Sequence, residues 1–357
     1  MDSLGDFLGQ NLKEQKARIE TQGLEPGIIS SYFVFGNYRF KIRVTRVLIE
    51  KQNLGGDSLI WGNSAFGTWG SYKWGDQATY GFVLGHPLAG VLGTSKLGSN
   101  LSSYETVEEI ILTQVIPTVA REEVAKFLAG ESATSPTHMA LGTDDTAFSE
   151  SDTSLGNEIA RKTITCDLSE DKTVKYQIEI LSTDTEFITG NPEFKEIGLF
   201  NSDTGGTLFT RAISSGFTHS QTENTRITIT HYIDDDSVGN STITLSGLNG
   251  IRDWLGGSSS VYPQYIAWGT GTTDVSESDT ALEGEIERNA LIKTTRNGSI
   301  ITYEGILDRT EGNGNDITKS GLFDQSSGGT LIAESKFGEI SKTSFFQVYE
   351  TDKITIT

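Results

Sequence analysis

Cysteine is almost missing from this 357-residue chain: the lone Cys166 can form no internal disulfide, so the core holds without covalent staples. Histidine is scarce as well. The four residues His86, His138, His219 and His231 are scattered, and no Cys/His grouping has zinc-ligand spacing, so neither a metal nor a cofactor is expected. The sequence has no run of about 18 apolar residues, as a membrane-spanning helix would need, and no basic-then-apolar leader at its start, which points to synthesis in the cytoplasm without Sec export. Basic residues are also in short supply, with Lys+Arg at 28 against Asp+Glu at 48 and a formal net charge of −20. Such a charge repels phosphate backbones and anionic lipid, so nucleic acid and membranes are not expected partners, and it reads as an aid to solubility. Catalytic signatures are missing too: HExxH, GxSxG and Cys/His pairs are all absent. A glycosidase-type carboxylate pair depends on separation in space and leaves no sequence mark. Nothing sets one acid above the others, however, and no enzymatic activity is expected.

What the chain does have is glycine, 40 residues of it beside only 35% hydrophobic residues, a balance suited to β-structure with many tight turns. It also repeats itself. Residues 136–161 read PTHMALGTDDTAFSESDTSLGNEIAR and residues 263–288 read PQYIAWGTGTTDVSESDTALEGEIER; at an offset of 127, 14 of the 26 positions are identical without a gap. Repetition on this scale means two copies of one folding unit.

The likeness extends both ways. Upstream, residues 121–130 (REEVAKFLAG) lie opposite 249–257 (NGIRDWLGG). Val124, Phe127 and Leu128 in the first segment, and Leu248, Ile251 and Leu255 in the second, fall at helical spacing, and each run stops at glycine. Downstream, Val174, Tyr176 and Ile180 face Ile301, Tyr303 and Leu307, alternating with polar residues as half-buried strands do. Gly198-Leu199-Phe200 and Gly205-Gly206 then match Gly321-Leu322-Phe323 and Gly328-Gly329 at an offset of 123, so four residues are lost in a loop. The closing segments 226–230 and 353–357 align best at 127 again. These matches predict a mainly β fold with two tandem homologous sandwich-like modules, at 105–233 and 240–357, each preceded by a short helix. The acidic run Asp234-Asp235-Asp236 is expected to be an exposed linker between them; it lacks the alternating ligands of a calcium loop.

Within the repeat, Glu158 with Arg161 and Glu285 with Arg288 are opposite charges three residues apart. Their recurrence favours structural ion pairs that pin the SESDT loop to the sheet over an acid/base or sugar-binding pair. Gly-Leu-Phe reads as a turn entering a buried strand, and the Gly-Gly pairs read as hairpin turns in which glycine reaches positive φ without strain.

This combination of motifs resembles a module of structural proteins from tailed bacterial and archaeal viruses. The resemblance covers roughly two thirds of the chain and is most complete in the second copy: Arg252-Asp253-Trp254-Leu255, Gly269-Thr270-Gly271-Thr272, Ser278-Asp279-Thr280, Glu285, Arg288 and Gly321-Leu322-Phe323. An acid often precedes Gly-Leu-Phe in that family. Glu196 supplies it in the first copy but Lys319 stands there in the second, which puts a shared ionic contact in question. The resemblance implies a virion component, assembled in the host cytoplasm, of tail, baseplate or tail fibre. Its expected partners are other virion proteins and copies of itself, with a trimer as the expected oligomer.

The first 104 residues form a separate region in this reading. Leu4, Leu8, Leu12 and Ile19 predict an amphipathic helix over 1–24, which either docks on a neighbour in the particle or packs on its own domain, and residues 31–50 alternate as strands do. Between 55 and 98 an aromatic or aliphatic residue precedes glycine again and again, a pattern no helix tolerates. Trp61, Phe66, Trp69 and Trp74 are the candidate partner-binding residues, packing within the domain or between subunits, with sugar stacking as the rival use. Two other placements stay open: a receptor-binding adhesin whose loops 142–151 and 269–278 hold host surface glycans, and a capsid decoration or turret protein. Trp69→Ala is expected to impair particle assembly; normal particles that fail only in host attachment would assign the rings to receptor binding instead.

Overall fold

The computed structural model describes residues 29–54, 104–258 and 261–357. The candidate aromatics Trp61, Phe66, Trp69 and Trp74 and the helix expected over 1–24 lie outside the described residues. The fold is mainly β, as the period-2 patterning predicts. One long strand, β1 (Ile29–Asn53), organises it. Its Tyr38, Phe40, Ile42 and Val44 are fully buried while Arg39, Lys41 and Arg43 between them are not, the alternation of a strand with one face on a core.

After β1 come β2 (Glu105–Ile111), α1 (Thr118–Leu128), β3 (His138–Gly142), β4 (Glu158–Thr163), β5 (Thr165–Asp167), β6 (Thr173–Ile180), β7 (Phe194–Phe200), β8 (Leu208–Phe217) and β9 (Glu223–Asp235). The same order then recurs as β10 (Ser241–Ile243), α2 (Leu245–Leu255), β11 (Tyr265–Gly269), β12 (Glu285–Ala290), β13 (Lys293–Asn297), β14 (Ile300–Leu307), β15 (Asp316–Phe323), β16 (Leu331–Ser341) and β17 (Phe346–Ile356). A four-stranded sheet, β4-β3-β7-β8, forms in the first half and a five-stranded sheet, β10-β16-β15-β11-β12, in the second. The remaining strands share one eight-stranded sheet ordered β13-β14-β17-β1-β9-β6-β5, with β2 also beside β1.

Strand β1 is the seam of that sheet. Its first part, Ile29 to Phe40, pairs parallel with β17, and its second, Phe40 to Asn53, pairs antiparallel with β9. Because β9 and β17 close their respective halves yet run in opposite directions along β1, the halves are inverted relative to each other. The helices cross over as well. α1 touches β14 and β17 of the second half, and α2 touches β6 and β9 of the first. Phe127 of α1 stacks on Trp254 of α2 with ring centroids 4.7 Å apart, and the buried Tyr303 hydroxyl donates to Leu128 O at 2.9 Å. One hydrophobic cluster therefore runs through both halves.

Two expectations are corrected. The acidic run is no free linker: Asp234 and Asp235 end β9, with Asp234 3.4 Å from Arg43 and Asp236 2.8 Å from Lys41 of β1. The closing strands do not return to an offset of 127. Thr173 faces Tyr232 in the first half and Ile300 faces Thr355 in the second, which sets their offset at 123. A shift of four residues keeps the same side chains facing inward, so the pattern alone cannot reveal it.

Strand β17 pairs with β1 as well as with β14, and helix α2 packs on β6 and β9 as well as on β16, so residues 240–357 expressed alone lose a large share of their partners and are expected not to fold. A well-dispersed amide NMR spectrum from that fragment would show a self-sufficient module instead.

Candidate functional site

The recurring Glu-x-x-Arg pairs lie on the edge strands β4 and β12. Arg161 grips Glu158 with Nε and Nη2 and donates from Nη1 to Ser202 O and Gly205 O, both at 2.8 Å, while its guanidinium lies 3.7 Å over the Phe200 ring. Arg288 does the same with Glu285, Gln325 O at 2.9 Å, Gly328 O at 2.7 Å and the Phe323 ring at 3.4 Å. Only a planar, forked cation can make these contacts together. The pairs thus pin the Gly-Gly hairpin turns, not the SESDT loop as expected. Gly205, Gly206, Gly328 and Gly329 all have positive φ, as the turn chemistry requires. Gly-Leu-Phe ends the buried strands β7 and β15 and leads into these turns, where an entry into a strand was expected.

The SESDT segments serve the helices. Asp152 and Asp279 accept from the amides of Ser149 and Ser276 at 3.0 and 2.8 Å, folding each segment into a tight turn. The turn then presents a carbonyl to the first amide of a helix: Thr118 N donates to Glu150 O at 2.9 Å and Leu245 N to Glu277 O at 2.7 Å. Two residues after the threonine, Leu155 and Leu282 plug the outer faces of the two smaller sheets, against Phe200 and Phe323. The Asp, Leu, Glu and Arg of SDT-x-L-x-x-E-x-x-R that the halves share are therefore committed to holding the fold.

Charge is distributed differently beneath these loops. In the first half Glu196 of β7 and Arg211 of β8 form a buried ion pair at 2.9 Å. Glu196 also accepts from the amides of Gly156 and Asn157 at 2.9 and 2.7 Å, and Arg211 reaches Asp144 at 2.7 Å, Asp152 at 3.1 Å and the Thr146 hydroxyl. The Thr146 hydroxyl, with Arg211 behind it, holds the Asp144 carboxyl below its usual range. In the second half the same positions carry Lys319 and Glu334, so the polarity is reversed rather than lost. Lys319 Nζ lies 4.0 Å from Glu334 and 3.4 Å from Glu283, and Lys336 bonds Thr272 O and Asp274 instead. The reversed pair is looser. The Glu334 oxygen nearest Lys319 has no hydrogen-bond partner, and burial pushes its carboxyl up to about 8.

Deeper groups also differ between the halves. His231 on β9 is fully buried, bonded to the Thr210 hydroxyl at 2.5 Å, and burial pushes its imidazole down to about 3, so it stays neutral. At the matching place β17 carries Ile354, and two and four residues before it stand the buried carboxyls Asp352 and Glu350. An open groove of about 450 Å³ separates the ends of α1 and α2 over Phe127, Trp254 and Tyr262, rimmed by Ser132, Thr134 and Ser135. Among the described residues no group of three His, Cys, Asp or Glu is placed to hold a metal ion, and no helix is long and apolar enough to cross a membrane. Strands β1 and β2 hold both ends of segment 55–103: Leu54 N donates to Thr222 O at 2.9 Å, and Lys51 pairs with Glu105. Comparison with protein-family models, curated proteins and solved structures finds no match.

Glu196, Arg211, Lys319 and Glu334 were within reach of the sequence. The change from Glu to Lys at one place is offset by Arg to Glu fifteen residues on. Arg211→Met, which strands the buried Glu196 carboxylate, is expected to destabilise the protein by about 3–5 kcal/mol, while Glu196→Gln with Arg211→Met recovers much of that loss. Equilibrium urea unfolding of the two variants provides the comparison.

Proposed function

We propose that the chain is a virion structural protein of tail, baseplate or tail-fibre type, working through protein–protein assembly. The observation that carries this reading is the sequence module itself, Gly-Thr, Ser-Asp-Thr, Glu-x-x-Arg, Gly-Leu-Phe and Gly-Gly, which occurs twice and, with Gly-Thr-Gly-Thr in the second copy, resembles that of such proteins. Its geometry supports a role by shape. The Glu158–Arg161 and Glu285–Arg288 pairs saturate each other and the hairpin carbonyls, leaving no free acid/base couple in them. Binding is then left to surfaces outside the shared motif. Segment 55–103, with Trp61, Phe66, Trp69 and Trp74, joins the sheet at the far end of β1 from residues 1–28, so the two segments that belong to neither copy leave from opposite ends of one strand. Rings of this kind suit burial against a neighbouring subunit.

Immunogold labelling with antibody to the recombinant chain, on particles purified from a lysate that contains the native protein, tests the reading. Label on the tail, baseplate or fibre is expected. Label on the head would favour capsid decoration, and particles that carry none of the protein would rule out a virion role.

A further inference from the structure

Independently of the function proposed above, we propose that Glu350 and Asp352 form a proton-held clasp that fastens the first part of β1 into the second half and lets it go when the pair ionises. The buried face of β17 reads Val348, Glu350, Asp352, Ile354, Ile356, and ladder register places Ile227 and Ile229 at the two acidic positions in the first half. Acids have thus taken the place of isoleucines in the middle of a core. Glu350 is 1% exposed and Asp352 0%.

One of their four oxygens has a strong partner. Asp352 Oδ1 accepts from Gly36 N at 2.7 Å. Gly36 sits in the bulge where β1 changes register against β17 between Val34 and Asn37, and a Cβ there would lie 2.3 Å from the Tyr38 ring. Glycine and bulge together bring a β1 amide onto the acid. The other three oxygens, Glu350 Oε1 and Oε2 and Asp352 Oδ2, have no hydrogen-bond partner. Two charged carboxylates cannot coexist in such a place, since each would lose its hydration and face the other; a proton on each acid keeps the pair neutral.

The groups around the pair relieve this only in part: the Ser320 hydroxyl and the Trp268 indole favour a charged Glu350, but less than burial and Asp352 oppose it. Tyr38 faces it from β1, Trp268 from β11, Tyr303 from β14, Ser320 from β15, and Ser335 and Glu334 from β16, with Asp279 beyond Glu334. Lys319 of β15 turns toward Glu283, Thr273 and Glu334, and Lys336 of β16 toward Thr272 O and Asp274. Burial first, and then the Asp352 carboxylate beside it, raises the Glu350 carboxyl well above its ordinary value, and burial pushes that of Asp352 up to about 7. The sign follows from linkage. The folded protein keeps these protons to higher pH than the unfolded chain, so the contribution of the pair is complete below the ordinary carboxylate range of about 4 and is lost as pH rises through the folded values. What loosens is the ladder from Ile29 to Phe40 with β17, whereas the ladder of β1 with β9 contains no such acids.

Hydrogen exchange followed by mass spectrometry on the full chain, expressed as protection factors so that the intrinsic pH dependence divides out, tests the clasp. Between pH 6 and pH 9 the protection of residues 33–40 is expected to fall at least about tenfold while that of residues 42–49 holds. Glu350→Ile with Asp352→Ile, which copies the first half, should abolish the difference, as should the shape-preserving Glu350→Gln with Asp352→Asn if the first variant folds poorly. Wild-type protection that stays constant across this range, or a fall that survives whichever variants fold, would overturn the clasp; the second result would leave Glu334 as the titrating group.

Discussion

Strand β1 gives its backbone hydrogen bonds to the closing strand of each half, to β17 from Ile29 to Phe40 and to β9 from Phe40 to Asn53. Without it the eight-stranded sheet divides into two pieces with bare edges, and each edge would be a row of unpaired amides and carbonyls. The inverted arrangement of the halves, the crossing of α1 and α2 onto opposite sheets, and the continuous core all follow from two like units sharing one strand. The stack of Phe127 on Trp254 completes the join from the other layer.

Against this common frame, the halves have diverged where polar groups are buried. The clamps made by Arg161 and Arg288 match contact for contact, because a guanidinium held by carboxylate, ring face and two carbonyls admits little change. The pair on β7 and β8 has reversed sign as Lys319 and Glu334 on β15 and β16, which keeps one charge of each sign but not the quality of the contact. A buried pair tolerates joint replacement far better than loss of a single partner. Deeper still, His231 in one half and Glu350 with Asp352 in the other make the two cores respond to pH in opposite senses. The histidine resists taking up a proton, and the acids resist giving one up.

Much of the fold was legible in the sequence because local chemistry dictates it. The Gly-Gly turns, the apolar faces of both helices and the alternation at Tyr176 and Tyr303 need only near neighbours. What stayed hidden depends on distant partners. No local pattern tells that Ile29 pairs with Phe346 or that Phe40 is flanked by both halves. The offset of the closing strands is hidden because Arg-Ile-Thr-Ile-Thr and Lys-Ile-Thr-Ile-Thr look alike and a slide of four preserves inward and outward faces. At the clamps, the residues are visible in the sequence but their target is not, since Arg161 reaches a turn some forty positions away. Glu350 and Asp352 gave no signal at all, because acids in a strand ordinarily mark its solvent face.

The amide of Gly36 meets the carboxyl of Asp352 across 316 residues of sequence. As the chain leaves the ribosome, the first part of β1 must therefore wait for the last strand to be made, whereas β9 is available to the second part much earlier. Contacts of such high order slow the final closure. During the delay the waiting edge is an adhesive surface, open to the matching strand of another nascent chain as readily as to its own.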